Sequence, residues 1–258
     1  MIGAILDGIK SYQYAIGMIT RYRLWKYVIV SSLLSFAVIA FLVAGPTWAF
    51  MNSGLEERIL DAYPFEFGKH VVEWLVENLL TILMIFIMFF FLGKYIVMIV
   101  LSPFMSILSE KVESAIKGTP VKSDGNFITD LIRGLRIALR NIIRELLLTL
   151  VVIVLFNLLP VIGTIASTVV IFLIQSYYAG FGNMDYTLER KQFNVRESVK
   201  FVRRNWSLAI GNGMFFLLLF VVPVIGWVLA PVYGTISAAL LVLTQTDNIP
   251  LASHAKKS

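Results

Sequence analysis

Arginine is the residue type whose spacing in this sequence points most clearly to chemistry. Four arginines recur at steps of three and four residues: Arg133, Arg136, Arg140 and Arg144. On a helix that turns by roughly 100° per residue they share one face, and each guanidinium can engage two oxygens of an oxyanion. The pattern predicts either an anion vestibule, with Arg133, Arg136 and Arg140 as candidate binding residues, or a basic face that lies on anionic lipid.

A second basic cluster lies near the N-terminus, where Arg21, Arg23 and Lys26 precede a long uncharged stretch. Because Arg21 and Arg23 are two residues apart, their side chains diverge by roughly 200° on a continuous helix and converge only if the chain turns there. The cluster is a candidate oxyanion site. The alternative is that the three cations anchor the chain at lipid headgroups, helped by Trp25 and Tyr27.

Other residue types that carry chemistry are few. Cysteine is absent, and the two histidines, His70 and His254, offer neither a metal pair nor a catalytic triad. We therefore expect a protein that is not an enzyme, with no catalytic residue, no metal and no cofactor. Lys94 is a charge inside an apolar segment, so it is either functional or close to the membrane surface. Thr164 follows a turn signal and either caps a packed helix or opens an anion-binding helix N-terminus.

The composition indicates which elements must position these residues. Of the 258 residues, 58% are hydrophobic and 15% are charged, against about 45–50% and about 25% in soluble domains. These proportions exclude a water-soluble globule and predict a single all-α integral membrane domain over residues 1–258. Long transmembrane helices are expected over 27–51 and 75–108. An amphipathic helix over 1–20 is expected to lie at the membrane interface, with an apolar face of Ile2, Ile5, Ile9, Tyr12, Ile16 and Ile19.

The end of the second long helix is predicted to be amphipathic. Its apolar positions recur at helical spacing: Leu101, Met105, Leu108, Val112 and Ala115. The opposite face carries charges of both signs, and the most economical role of Glu110 and Glu113 is to pair with Lys111, Lys117 or the arginine face.

Two stretches with the same pattern follow, over 127–182 and 190–245. Each combines a basic amphipathic helix with an apolar hairpin, and each contains a Pro-Val-Ile-Gly turn, at 160–163 and 223–226. The offset of 63 residues between the turns also relates Arg133 to Arg196 and Arg140 to Arg203, which indicates an internal duplication. Legs of about 15 apolar residues predict hairpins that either penetrate the bilayer partly or cross it as short spans.

The charge distribution predicts the orientation. Segment 52–73 has five acidic and two basic residues, whereas basic residues concentrate before the first long helix and in 109–145 and 183–205. By the positive-inside rule the acidic loop is external and both termini are cytoplasmic. Nucleic acid is not an expected partner, because the basic residues flank apolar segments instead of interleaving with exposed aromatic residues.

Several strings occur in a specific order: the two Pro-Val-Ile-Gly turns, Leu101-Ser102-Pro103-Phe104, Leu108-Ser109-Glu110-Lys111-Val112-Glu113, Asp185-Tyr186, and Ala230-Pro231-Val232-Tyr233-Gly234-Thr235. Together, over residues 5–245, they resemble the CysZ-type sulfate permeases, within a wider family named for an etoposide-induced membrane protein.

The resemblance implies an all-helical protein of the bacterial inner membrane, with two long spans and partly inserted hairpins, that assembles into homo-oligomers. It also implies uptake of sulfate or a related inorganic anion for cysteine biosynthesis, with a sulfate site at Arg21, Arg23 and Lys26. Tyr22 stands there in place of a small residue of the family pattern. Because the wider family includes members with no established transport role, the alternative is a membrane-shaping or scaffold protein that acts on lipid.

Overall fold

The computed structural model describes residues 2–62, 68–80, 94–121, 127–156, 158, 162–222 and 225–251. Every regular element within these residues is helical, which confirms the predicted all-α class. In chain order the helices are α1 (Ile2–Arg21), α2 (Trp25–Met51), α3 (Leu55–Asp61), α4 (Lys69–Trp74, continued by a π-helical turn over Leu75–Leu80), α5 (Lys94–Lys117), α6 (Phe127–Phe156), α7 (Ile162–Arg190), α8 (Val195–Arg204), α9 (Trp206–Phe220) and α10 (Ile225–Thr246).

Four of the described helices contain a stretch long and apolar enough to cross a membrane: Trp25–Ala49, Tyr95–Lys117, Ile162–Arg190 and Ile225–Thr246. The chain is therefore a multi-pass integral membrane protein. Helix α9 is also apolar but has 15 residues, or about 22 Å, less than the roughly 30 Å hydrocarbon core. Residues 81–93 lie outside the described part of the chain, so the span predicted over 75–108 is described only at its two ends.

The chain divides into two compact units, Met1–Leu34 with Met98–Ser258, and Ser35–Val97. In the first unit, α9 packs against α1, α7 and α10, while α10 also contacts α1 and α7, and α6 packs against α7. Buried apolar side chains form its core, among them Phe181, Met184, Leu188, Leu208, Leu241 and Val242. In the second unit, α3, α4 and the π-helical turn pack together.

Helices α7 and α9 cross with their backbones in contact. A Cβ atom on Gly180 would lie 1.9 Å from the carbonyl oxygen of Ala209, and one on Gly213 would lie 1.7 Å from the carbonyl oxygen of Ser176. Neither position has room for a side chain. Small residues at such crossings let membrane helices approach closely, so these two glycines set the distance between α7 and α9.

Helix α1 is tied to the same group of helices by a buried polar network. The hydroxyl of Tyr12 donates to the carbonyl oxygen of Asn212 at 2.9 Å, and the side-chain amide of Asn212 donates to the Ser237 hydroxyl at 2.8 Å. Ser237 also shares a hydrogen bond with Ser11, and Asn183 donates to the side-chain oxygen of Asn212 at 2.9 Å. The network therefore connects α1, α7, α9 and α10 within the first unit.

Helix α1 buries a stripe of its surface within the protein and leaves part of the isoleucine face, which the sequence predicted for the membrane interface, exposed. Ile2 is 72% exposed and Ile16 is 54% exposed. The buried stripe consists largely of smaller side chains: Gly8, Ser11, Tyr12, Ala15, Met18 and Ile19. A Cβ on Gly8 would lie 2.8 Å from backbone atoms of α9, so close helix packing selects the small side chains for this face.

The two predicted repeats differ in how their helices are built. Helix α6 is continuous over 30 residues, whereas the matching part of the second repeat is divided at Asn205 into α8 and α9. The N–H of Asn205 donates to the carbonyls of Phe201 and Val202, at 3.0 and 3.1 Å, and so ends α8. Helix α6 pairs with α7 and α9 with α10. Positions 160–161 and 223–224 of the two turns lie outside the described residues, so the depth of the hairpins and the duplication stay predictions.

Candidate anion sites

The chain turns between α1 and α2 at Arg23, whose φ of 53° lies in the left-handed region. The N–H of Arg23 donates to the Thr20 carbonyl at 3.4 Å, and the N–H of Leu24 donates to the Ile19 carbonyl at 3.0 Å. This is the hydrogen-bond pattern of a Schellman cap, which ends a helix. Leu24 is only 4% exposed and fixes the turn against the core. The turn that Arg21 and Arg23 need in order to converge is therefore present.

The three cations of this turn are exposed. None of Arg21, Arg23 and Lys26 forms an ion pair with another described residue. Instead, the Arg21 guanidinium lies over the ring of Tyr22, at 5.8 Å from its centroid, and the Lys26 ammonium lies over the ring of Tyr27, at 5.2 Å. The turn also leads into the N-terminus of α2, where unpaired N–H groups and the helix dipole favour an anion.

Arg133, the first predicted residue of the arginine face, is surrounded by acceptors. It donates to both carboxylate oxygens of Asp185, at 3.0 and 3.1 Å, and to Glu189 at 3.2 Å. It also donates to the Ser198 hydroxyl at 2.7 Å and to the Phe193 carbonyl at 3.1 Å. Its guanidinium thus joins α6 to α7 and α8.

Further along the same helix face the environment changes. Arg136 is exposed. Arg140 lines an open cavity of about 430 Å³ with aromatic walls, whose other lining residues are Arg144, Tyr177, Tyr178, Val199, Arg203 and Trp206. Burial, and then the neighbouring Arg144, lower the pKa of Arg140. Arginine still remains charged in proteins, and Arg140 forms no ion pair with a described carboxylate.

Two further predicted residues lie elsewhere. Thr164 is an exposed residue in the first turn of α7, and its carbonyl accepts hydrogen bonds from the hydroxyls of Ser167 and Thr168, both at 2.9 Å. Lys94 is the first residue of α5. The roles of Arg21, Arg23, Lys26, Arg133, Arg136, Arg140 and Thr164 in anion binding stay predictions.

The structure also contains a charged cluster that pattern reasoning found only in part. Glu113, 2% exposed, is paired with Lys117 one helical turn away, as the sequence predicted, and also with Arg190 of α7. Lys111 pairs with Glu110 at 3.5 Å. The pairing with Arg190 joins positions 77 residues apart on two different helices, and no sequence spacing signals such a contact.

Asp247, just after α10, completes this cluster. Its carboxylate contacts the ammonium groups of Lys117 and Lys191, each at 2.7 Å, and accepts a hydrogen bond from Thr246 at 2.6 Å. Burial opposes ionisation of this carboxyl, but the hydrogen bonds from Lys117 and Lys191 outweigh burial and hold the pKa of Asp247 well below its usual range. The carboxylate therefore fastens the end of α10 to the ends of α5 and α7.

The fold and these basic surfaces define an all-helical, multi-pass integral membrane protein. Its family follows from comparison with known proteins: the family model described as sulfate transporter CysZ/etoposide-induced protein 2.4 matches residues 11–231. The match covers most of the chain, and the protein belongs to this family, which confirms the resemblance noted in its sequence. The family is one of transporters and not of enzymes. A comparison with curated proteins gives no significant match.

Proposed function

We propose that this protein takes up sulfate, or a related oxyanion, across the bacterial inner membrane and so supplies sulfur for cysteine biosynthesis. The observation that carries the proposal is the turn at Arg23, where three cations lie beside the start of a 27-residue helix. Membership of a sulfate transporter family supports the choice of anion.

The chemistry of sulfate fits this turn. Sulfate has two negative charges and four acceptor oxygens, so it needs positive charge and several donors at low cost in reorganisation. Arg21 and Arg23 supply planar forks, and Lys26 supplies a further cation. Because all three are exposed and unpaired among the described residues, an anion can bind and leave again, which a transport path requires.

The arginine face contributes unequally to this proposal. Asp185 and Glu189 already occupy the guanidinium of Arg133, so its main contribution is to hold α6 in place. Arg136 and Arg140 stay proposed anion-binding residues of a vestibule. Thr164 stays a proposed anion-binding residue at a helix N-terminus.

The proposed orientation places both termini in the cytoplasm and the segment 52–73 outside. Because the chain contains no cysteine, single introduced cysteines report the topology cleanly. In intact cells an impermeant thiol reagent should label Ser53→Cys in the external segment and leave Thr119→Cys, after α5, unlabelled until the cells are lysed. The reverse labelling pattern would contradict the orientation.

The transport proposal is tested by uptake of radiolabelled sulfate into proteoliposomes. Wild-type protein should give uptake above empty vesicles, and Arg21→Gln/Arg23→Gln should abolish most of it. Arg196→Gln, an exposed arginine on α8, removes a similar charge elsewhere and should transport like the wild type. Absence of uptake by protein that elutes as a single folded species would reject transport and favour the membrane-shaping alternative. The same vesicles, imaged by electron microscopy, would then show altered curvature.

A further inference from the structure

A cavity in the first unit combines three cations with aromatic walls. We call it the arginine–aromatic cavity; it is lined by Arg140, Arg144, Arg203, Tyr177, Tyr178, Val199 and Trp206. Its volume of about 430 Å³ falls in the range of roughly 300–1,000 Å³ that is common for ligand sites. The described lining residues include no carboxylate, and neither Arg144 nor Arg203 forms an ion pair with any described residue. The cavity therefore carries positive charge that a bound anion would neutralise.

The position of the cavity along the chain is equally specific. Arg144 lies just before the uncharged run 146–184, and Arg203 lies just before the uncharged run 205–246. The cavity thus forms where both basic segments give way to apolar helix, which is the level at which headgroups of a bilayer lie. A basic pocket between helices at this level is typical of sites for anionic lipid headgroups.

The aromatic residues of the cavity fit the same level. Trp206 is 40% exposed, and the rings of Tyr177 and Tyr178 meet edge to face, with centroids 5.1 Å apart. Tryptophan and tyrosine are enriched at membrane interfaces because their rings are apolar and their polar atoms donate hydrogen bonds. Tyr177, Tyr178 and Trp206 line the cavity together with three arginines, a combination of side chains suited to a phosphate.

Beside the cavity, α6 presents an apolar surface. Leu147, Leu148 and Val151 are 58%, 44% and 51% exposed, and they follow Arg144 by three, four and seven residues, on the same side of the helix. An amphiphile whose head lies at Arg144 can therefore lay its hydrocarbon along this surface. A free inorganic anion would leave the surface unused.

We propose that the arginine–aromatic cavity binds the phosphate headgroup of an anionic phospholipid, with the acyl chains along Leu147, Leu148 and Val151. The bound phosphate offsets the repulsion between Arg140 and Arg144. Because Arg140 and Arg144 belong to α6 whereas Arg203 belongs to α8, the lipid also bridges the two basic segments. This lipid site is separate from the proposed sulfate site at Arg23, and a lipid bound in the cavity takes Arg140 out of the anion vestibule and leaves Arg136 as its proposed residue.

The experiment is thermal unfolding of the purified full-length protein in uncharged detergent micelles, with one of four additions: phosphatidylglycerol, phosphatidylcholine, inorganic phosphate or sulfate. At a hundredfold excess over its Kd, phosphatidylglycerol should raise the unfolding midpoint by about 5–10 °C. Phosphatidylcholine, which has no net charge, should give little shift, and the free anions should not reproduce the effect.

Variants assign the effect to the cavity. Arg203→Gln should weaken the apparent affinity for phosphatidylglycerol about tenfold, and Arg144→Gln/Arg203→Gln about a hundredfold. Both arginines are exposed, so neither change leaves a buried group unpaired and the variants should fold. The matched control is Arg196→Gln, which removes a charge from the same helix as Arg203 outside the cavity and should respond to lipid like the wild type.

Two outcomes would overturn the proposal. If the double variant is stabilised by phosphatidylglycerol as strongly as the wild type, the lipid binds elsewhere. If inorganic phosphate or sulfate stabilises the wild type as much as the lipid does, and the double variant loses that response, the cavity is a site for free oxyanions and not for lipid.

Discussion

The guanidinium of Arg133 and the carboxylate of Asp185 form two parallel hydrogen bonds, Nη1 to Oδ2 at 3.1 Å and Nη2 to Oδ1 at 3.0 Å. Bidentate pairs of this kind fix orientation as well as distance. Because Glu189 contacts the same guanidinium from the next turn of α7, a single arginine shares its one positive charge between two carboxylates. The pair therefore holds α6 and α7 together at a defined rotation.

Removing the side chain of Arg133 should destabilise the folded protein. The side chain of Arg133 is 14% exposed, and those of Asp185 and Glu189 are 6% and 3% exposed. Arg133→Gln leaves both carboxylates without this counter-charge. The free energy of unfolding in detergent should therefore fall by about 3–5 kcal/mol. Arg136→Gln, at an exposed position of the same helix, should change stability by less than about 0.5 kcal/mol. Equal stability of the two variants would contradict a structural role for the pair.

The crossing of α7 and α9 should not accept even a methyl group. Gly213→Ala places Cβ against the carbonyl oxygen of Ser176, so the helices must move apart, and we expect a loss of about 1–3 kcal/mol. Gly17→Ala is the matched control, because no atom lies within 4 Å of its added Cβ and alanine favours a helix more than glycine does. Thermal midpoints should fall for the first and stay level or rise for the second. A wild-type midpoint for Gly213→Ala would show that the crossing is looser than described.

The carboxylate of Asp247 should stabilise the folded protein over a defined pH range. Since its folded-state pKa lies below the unfolded value of about 3.9, the stabilisation is complete above that pH and is lost as the pH falls through the folded-state pKa. At pH 7 Asp247→Asn should lower stability by about 1.5–3 kcal/mol, the value of hydrogen bonds to a charged group. The difference in free energy of unfolding between the variant and the wild type should become smaller only below about pH 4. Unfolding curves of both proteins at several pH values test this prediction. Equal stability of the variant and the wild type at pH 6 would contradict it.

The proposed sulfate site makes a prediction about Arg23. If Arg23 is a ligand, Arg23→Ala removes a charge-assisted contact worth about 1.5–3 kcal/mol and weakens sulfate binding roughly ten- to a hundredfold. Arg23→Lys should lose much of the same affinity, because the charge stays while the planar fork is lost. Calorimetric titration with sulfate measures both.

The left-handed φ of Arg23 allows a sharper control. Arg23→Gly keeps the backbone of the turn, since glycine adopts this conformation without strain, and removes only the side chain. It should fold at least as well as the wild type yet bind sulfate as weakly as Arg23→Ala. Wild-type affinity in Arg23→Gly or Arg23→Lys would return the arginine to the role of a headgroup anchor.

The turn at Arg23 was predictable because a change from amphipathic to uncharged sequence requires the chain to change direction. The apolar positions of α5 were predictable as well: Leu101, Met105, Leu108 and Val112 are all fully buried. In both cases the information is local. Helical periodicity and the length of uncharged runs define helices and their boundaries, and they act within a few turns of the chain.

The partners of the arginines were not predictable in this way. Periodicity places Arg133 and Arg136 on the same face as equals, yet one is enclosed by carboxylates and the other is exposed. What separates them is the position of Asp185, 52 residues away, and no pattern within α6 contains that information. The offset of 63 residues related Arg140 to Arg203, but only the packing of α6, α7 and α8 shows that they line one cavity. The face of α1 that packs on α9 and α10 was not predictable for a similar reason, since its partners Asn212 and Ser237 lie 200 and 226 residues away from Tyr12 and Ser11.

The hydrogen bond from Tyr12 to the Asn212 carbonyl has a consequence for biogenesis, because its two ends are 200 residues apart. At a translation rate of about 5–20 residues per second, α1 leaves the ribosome about 10–40 s before its partner in α9 is made. The interval between synthesis of Ser11 and synthesis of its partner Ser237 is longer still, because the two are 226 residues apart. Throughout that interval the buried stripe of α1 is without its final neighbours, and the membrane surface or a chaperone must shield it. Helix α1 is thus made well before α9 and α10 but reaches its native contacts only after both have been synthesised, and a chain arrested before α9 cannot form them.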